Sequence, residues 1–141
     1  MLTSETIHAS CVAREGRAVL IAGPSGSGKS DLALRLIDRG AGLVSDDYTV
    51  LHRVGEKLIA RAPENIRGKI EVRGIGIVAM ETVQEVPVAL IIDLSEPGER
   101  FRLTERTRLI AGITVPVLRL RPFEASAAIK VEIALGQAMA G

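Results

Sequence analysis

Apolar positions in this chain come in short blocks separated by glycine, proline and charged turns, the pattern of brief strands interspersed with few helices. Residues 7–13 and 18–22 lie on either side of Arg14-Glu15-Gly16-Arg17 and read as a hairpin whose second strand ends at a glycine-rich loop. Residues 29–39 carry Leu32, Leu36 and Ile37 at helical spacing with Ala33 beside them, and Gly40 is available as a C-terminal stop. Leu43-Val44-Ser45 reads as a short buried strand running into Asp46-Asp47, and residues 49–53 and 57–61 form a second hairpin around Gly55. Residues 62–76 are turn-rich. Residues 86–94 form an apolar run broken by Pro87, as in a strand buried on both faces and central in its sheet. Residues 114–120 are a further strand and residues 125–140 a closing helix. No internal repeat or low-complexity tract interrupts this order, which predicts a single α/β domain over residues 1–141 with a mixed sheet.

Composition narrows the field. With 47% hydrophobic residues the chain can supply one core without disulfide or metal staples; with 2% aromatics and no Trp, that core must be Ile, Leu, Val and Ala. So few aromatics leave no platform for single-stranded nucleic acid. Eighteen basic residues against seventeen acidic ones leave a net charge of +1, far from a nucleic-acid-binding footprint, so no nucleic-acid partner is expected. The lone Cys11 cannot form an internal disulfide, and cytoplasm is the default location. No window approaches the roughly 20 apolar residues of a membrane span, and the first residues lack a basic stretch followed by an apolar run, so no membrane role is expected. The glycine-rich loop arrives after barely one strand pair, which predicts a catalytic core without an additional N-terminal domain.

That loop, Gly23-Pro24-Ser25-Gly26-Ser27-Gly28-Lys29-Ser30, meets the pattern G-x-x-x-x-G-K-[ST] in full, between an apolar strand and a helix. Glycines let backbone N–H groups converge on phosphate oxygens, and the helix N-terminus adds a favourable dipole. Lys29 is expected to reach the outer phosphates and the Ser30 hydroxyl to ligate Mg²⁺. Neither an Asp-x-x-Gly switch nor an Asn-Lys-x-Asp segment is present, which favours adenine over guanine. ATP with Mg²⁺ is the expected ligand.

Phosphate binding does not fix the acceptor, since ATPases, GTPases, small-molecule kinases and protein kinases share such loops. Transfer needs a further metal ligand and, for a hydroxyl acceptor, a group that orients it or takes its proton. Asp46-Asp47 should sit at the carboxyl end of a strand near the loop, where α/β sheets bind ligands. Asp93, ending the run Ala89-Leu90-Ile91-Ile92, stands where many nucleotide hydrolases carry their metal-organising aspartate. From the residues alone the two remain competitors. In residues 62–77, Glu64, Arg67, Glu71 and Arg73 are interleaved with Gly68, Gly74 and Gly76, a mixture that suits close backbone approach, phosphate neutralisation and Mg²⁺ binding, and equally a glycine-rich hairpin with surface ion pairs.

With the phosphate loop, the strand ending in Asp46-Asp47 and Glu71-Val72-Arg73-Gly74-Ile75-Gly76-Ile77 in this order, the chain resembles the catalytic domain of the HPr kinase/phosphorylase family. The resemblance implies a P-loop kinase fold of the type shared with phosphoenolpyruvate carboxykinase, in a short form without the family's N-terminal domain. It implies ATP- and Mg²⁺-dependent phosphorylation of a serine on HPr, the small phosphocarrier of phosphotransferase systems, and in many members phosphorolytic reversal. By that pattern His8 assists at the phosphates, Asp47 is the general base with Asp46 beside it, Ser30 and Glu71 are the metal ligands, and Lys29 and Arg73 balance phosphate charge. Asp93 is then demoted to a strand end. A further catalytic arginine falls at Arg102, within Glu99-Arg100-Phe101-Arg102-Leu103, with Arg100 as a substitute.

One departure stands out. The family's Arg-Pro-Gly-Arg-Asn loop is here Arg121-Pro122-Phe123-Glu124-Ala125, without the second arginine that would help bind phosphate for the reverse reaction. The family's C-terminal helix, which helps dock HPr and build a hexamer, is shortened, so a homo-oligomer is expected without a fixed order. Two alternatives stay in view: a small-molecule P-loop kinase using Asp93, and a non-catalytic nucleotide sensor.

Overall fold

The computed structural model describes residues 4–95 and 106–140. In chain order the elements are β1 (Ser4–Ile7), β2 (Ala9–Arg14), β3 (Arg17–Ala22), α1 (Lys29–Asp38), β4 (Gly42–Ser45), β5 (Thr49–Val54), β6 (Lys57–Arg61), a 3₁₀ turn (Glu64–Ile66), β7 (Lys69–Val72), β8 (Gly76–Ala79), β9 (Val86–Asp93), β10 (Thr107–Ile110), β11 (Ile113–Arg119) and α2 (Ala127–Ala140). A nine-stranded sheet runs β1-β5-β6-β9-β3-β2-β4, with β11 joining on β9 and β10 on β11. β3, β9 and β11 are mutually parallel, and the other pairings in this sheet are antiparallel, so the expected mixed sheet is present.

Side-chain alternation explains the layering. Val12, Val19, Ile21, Leu90 and Ile92 face one side of the sheet, and Cys11, Ala18, Leu20 and Ile91 the other, following the strand period of two. On the first side Leu32, Ala33 and Leu36 of α1 pack with Ala127, Val131 and Leu135 of α2. The helical spacing read from the sequence is thus the buried stripe, and each fully buried Leu contributes about 1.5–3 kcal/mol. Among the described residues, no helix contributes to the second cluster. There Ile7, Leu51, Leu58, Ile110, Val115 and Val117, from strands of the same sheet, close over Ala9, Cys11, Leu20 and Val44, so the sheet curls upon itself. Cys11 lies wholly inside this layer, and burial pushes its thiol pKa up, which keeps it a neutral packing group.

Three departures from the sequence reading bear on function. Residues 7–13 are two strands that change partners at His8: Ser4–Ile7 pairs with β5, whereas Ala9–Arg14 pairs with β3 and β4. A separate antiparallel hairpin, β7 with β8, begins within the turn-rich segment and ends just beyond it, turning at Arg73-Gly74-Ile75. β10 is a strand not anticipated in the sequence, since Thr107-Arg108-Leu109 are all exposed and give no alternating signal. α1 ends close to where expected, with Gly40 N–H donating to Ile37 O and Ala41 N–H to Leu36 O, both at 3.0 Å.

Register then fixes what meets at one edge. Ala22 at the end of β3 lies beside Ala9 at the start of β2 and beside Asp93 at the end of β9. β4 is antiparallel to β2 and so runs in the same direction as β3, which brings its carboxyl end to this edge too. His8, the glycine-rich loop and Asp46-Asp47 therefore converge without any long-range loop.

Candidate active site

The loop between β3 and α1 is shaped for close backbone approach. A Cβ on Gly23 would lie 2.6 Å from Ser27 Oγ and 3.1 Å from Leu94 Cβ. Gly28, the residue before α1, has φ 98°, a left-handed conformation that glycine adopts without strain. Ser27 Oγ is buried without a hydrogen-bond partner, an unusual state for a hydroxyl and one that an anion in the loop would relieve. Lys29, only 5% exposed, donates from Nζ to Gly23 O at 2.9 Å and Pro24 O at 3.1 Å, and Nζ stands 3.8 Å from Asp47 Oδ1. The loop thus holds its own cation over the backbone.

Asp46 is the hub of the site. Its buried carboxylate accepts Ser30 Oγ at 2.6 Å and Ser10 Oγ at 3.0 Å on Oδ1, and the Glu71 N–H at 2.9 Å on Oδ2. Four elements, β2, β4, α1 and β7, are tied through one side chain. Asp47 turns the other way. Its φ of 65° is left-handed, a conformation Asp tolerates better than most residues, and its amide donates to Ser10 Oγ at 3.0 Å. Its side chain is 51% exposed, with Oδ1 2.7 Å from His8 Nε2; the tautomer decides which ring nitrogen carries the proton. His8 in turn stacks on Tyr48, with ring centroids 5.0 Å apart and planes 24° from parallel. An open cleft of about 900 Å³ begins here, lined among others by His8, Gly23, Pro24, Asp93, Arg106 and Arg108.

The other candidates divide. Glu71 joins through its backbone while its carboxylate is exposed. Arg73 is exposed in the β7–β8 turn and, among the described residues, makes no hydrogen bond or ion pair with the cluster. Arg102 and its substitute Arg100 lie outside the described residues. Asp93 is occupied locally: Oδ1 accepts the Ser95 amide at 2.8 Å and the Ser95 hydroxyl, and Oδ2 is 3.9 Å from Arg119 Nε. It caps a turn. Ser10 and Tyr48 were missed from sequence; the signal for Ser10 was a lone hydroxyl in an otherwise apolar strand, since such a group, once buried, needs a partner.

The donor set suits a magnesium ion. Mg²⁺ binds through few protein oxygens plus phosphate and water. The Ser30 hydroxyl and Asp46 carboxylate supply such oxygens side by side, and among the described residues no cluster of three or more His, Cys, Asp or Glu that would favour a fully protein-ligated metal is present. No helix among the described residues is long and apolar enough to cross a membrane.

A curled mixed sheet, a complete phosphate loop on its parallel strands and a carboxylate pair beside that loop define a P-loop domain of the kinase type. The chain belongs to the HPr serine kinase C-terminal domain family, whose sequence model matches residues 1–137. It is 39% identical over 132 residues to an HPr kinase/phosphorylase of Pelodictyon phaeoclathratiforme, covering 82% of this chain and 39% of that protein. It is 40% identical over 144 residues to one of Caldanaerobacter subterraneus, covering 92% of this chain and 47% of that protein. The chain therefore spans less than half the length of these curated relatives. The solved structure of the Hpr(Ser) kinase/phosphatase from Coxiella burnetii superimposes with a TM-score of 0.82 at 30% identity, covering 97% of this chain and 99% of that one.

Proposed function

We propose that this chain is a catalytic domain that transfers the terminal phosphoryl group of ATP, with Mg²⁺, to a serine of an HPr-type phosphocarrier protein in the cytoplasm. The observation that carries the reading is the placement of Asp47 Oδ1, half exposed yet 2.7 Å from His8 Nε2 and 3.8 Å from the phosphate-loop lysine Nζ, which leaves it open to an incoming hydroxyl in this reading. In this reading residues 23–30 cradle the phosphates through their N–H groups, and Lys29 shifts from the loop carbonyls to the outer phosphate oxygens. Ser30, Asp46 and Glu71 hold the metal, whose chemistry when bound is to neutralise charge on the phosphates. Asp47 orients the serine hydroxyl and takes its proton as the oxygen attacks phosphorus. His8, braced by Tyr48, orients the Asp47 carboxylate and takes part in charge balance. Arg73 and Arg102 complete that balance in the family pattern.

The small-molecule alternative needs Asp93 as its metal-organising group, and the engagement of that carboxylate with Ser95 argues against it. The experiment is transfer of labelled phosphate from ATP to an HPr homologue by the unaltered chain, Asp47→Ala and Asp93→Asn, with ATP affinity measured in parallel. The expected outcome is that Asp47→Ala binds ATP within about twofold of the parent and transfers nothing, while Asp93→Asn retains transfer. Unchanged transfer by Asp47→Ala rejects the assignment.

A further inference from the structure

Of the three aromatic residues in this chain, one Tyr and two Phe, Phe123 is 71% exposed, and yet its ring edge lies against the phosphate loop. A Cβ on Gly28 would stand 2.9 Å from Phe123 Cζ and 3.2 Å from Cε1, so the ring rests over the residue that opens α1. Exposure of one Phe alone is ordinary. Its placement and anchoring are the informative features. Arg35 of α1 donates to Pro122 O and, from Nη1, to Glu124 O at 3.3 Å, while Asp31 holds Arg35 Nε at 3.1 Å. Glu124 O also accepts the Ala127 amide at 3.1 Å, and the Glu124 carboxylate meets Lys130 Nζ at 2.8 Å. The ring is therefore presented by a fixed segment with its faces open, which lowers the ordering cost of covering it.

The fold says what would cover it. Ala22, Asp93 and Arg119 are in register on three parallel strands, so the segment after β11 leaves the sheet at the same edge as the glycine-rich loop, the edge where α/β sheets bind ligands. On α1, at about 100° per residue, Arg35 stands roughly 140° around the helix from Ser30. Ser30 meets Asp46 on one flank of the loop, and Arg35 holds residues 122 to 124 on another. In-line transfer places the leaving diphosphate, and with it the nucleoside, on the side opposite an acceptor at Asp47.

We propose that Phe123 is the stacking surface for the nucleobase of the bound triphosphate, a base subsite that takes the base by its flat face. This rests on the reading of residues 23–30 as a nucleotide site. Stacking on one aromatic face is tolerant of base identity, because every base offers a π-face.

The test compares ATP with inorganic tripolyphosphate, which carries the phosphates and no base, each with Mg²⁺, on the whole chain. Phe123→Ala is expected to weaken ATP about tenfold, equivalent to about 1.4 kcal/mol, within the range of base–aromatic stacking, and to leave tripolyphosphate within about twofold. Because the chain has no Trp, Phe123→Trp supplies a single indole whose fluorescence is expected to be quenched by ATP and unmoved by tripolyphosphate. Unchanged ATP affinity in Phe123→Ala, equal losses for both ligands, or an indole blind to ATP overturns the base subsite while leaving the phosphate loop intact. If the unaltered chain binds neither ligand, the nucleotide reading falls and the subsite with it.

Discussion

Replacing Asp46 with Ala removes one acceptor group and strands three donors at once: the Ser10 and Ser30 hydroxyls and the Glu71 amide. A buried donor left unpaired costs about 1–3 kcal/mol. Ser10 is wholly buried and bears that cost in full, whereas Ser30 and the Glu71 amide are part-buried and recover some hydration. The sum is about 3 kcal/mol, less than three full penalties. At about 3–4 °C per kcal/mol for a chain of this size, the midpoint should fall by about 10 °C. Asp46→Asn keeps one oxygen for the two serines but turns an NH₂ donor toward the Glu71 amide, for a loss of about 1–2 kcal/mol. Thermal and urea unfolding followed by circular dichroism would give both values. The reasoning is refuted if Asp46→Ala unfolds within about 0.5 kcal/mol of the parent, the range of an ordinary surface change, or if Asn is as damaging as Ala.

Other expectations follow from the same geometry. Lys29→Ala should weaken Mg-ATP binding at least about tenfold by calorimetry, since it removes the cation held 2.9 Å from the loop carbonyl of Gly23. Leu32→Ala, at a fully buried position between α1 and the sheet, should cost about 2–5 kcal/mol in urea unfolding. Glu132 hydrogen-bonds Arg39 and lies 2.9 Å from Arg14, and these partners hold its pKa below the usual glutamate value. A lowered folded pKa means stability that is present above the ordinary value of 4.5 and lost as pH falls through the folded one. Melting profiles of Glu132→Gln and the parent should therefore be separated at neutral pH and converge under acid, and a gap independent of pH would contradict the ion pair's role.

Much of this was legible from residue pattern. The apolar spacing of residues 29–39 became the buried stripe of α1, and the run at 86–94 became β9, the strand that pairs with β3, β6 and β11. The phosphate loop was readable because its motif is local. What escaped was set by partners distant in sequence. Residues 7–13 read as one strand, and the change of neighbours at His8 is set by β5 pairing on one side and β3 on the other, both distant in sequence. The role of Asp46 as a structural hub likewise comes from Ser10 and Glu71, 36 and 25 residues away. The turn-rich segment 62–76 gave no strand signal, because charged residues and glycines interrupt its apolar positions, yet backbone pairing makes β7 within it and β8 from its end.

The central claim is that Asp47 and the phosphate loop act together on a protein hydroxyl. It is tested most directly by incubating the chain with ATP, Mg²⁺ and an HPr homologue and locating the modification by mass spectrometry. The account predicts one phosphoserine on HPr that depends on Asp47. ATP bound and HPr left unmodified, or a phosphoserine formed equally well by Asp47→Ala, would contradict it.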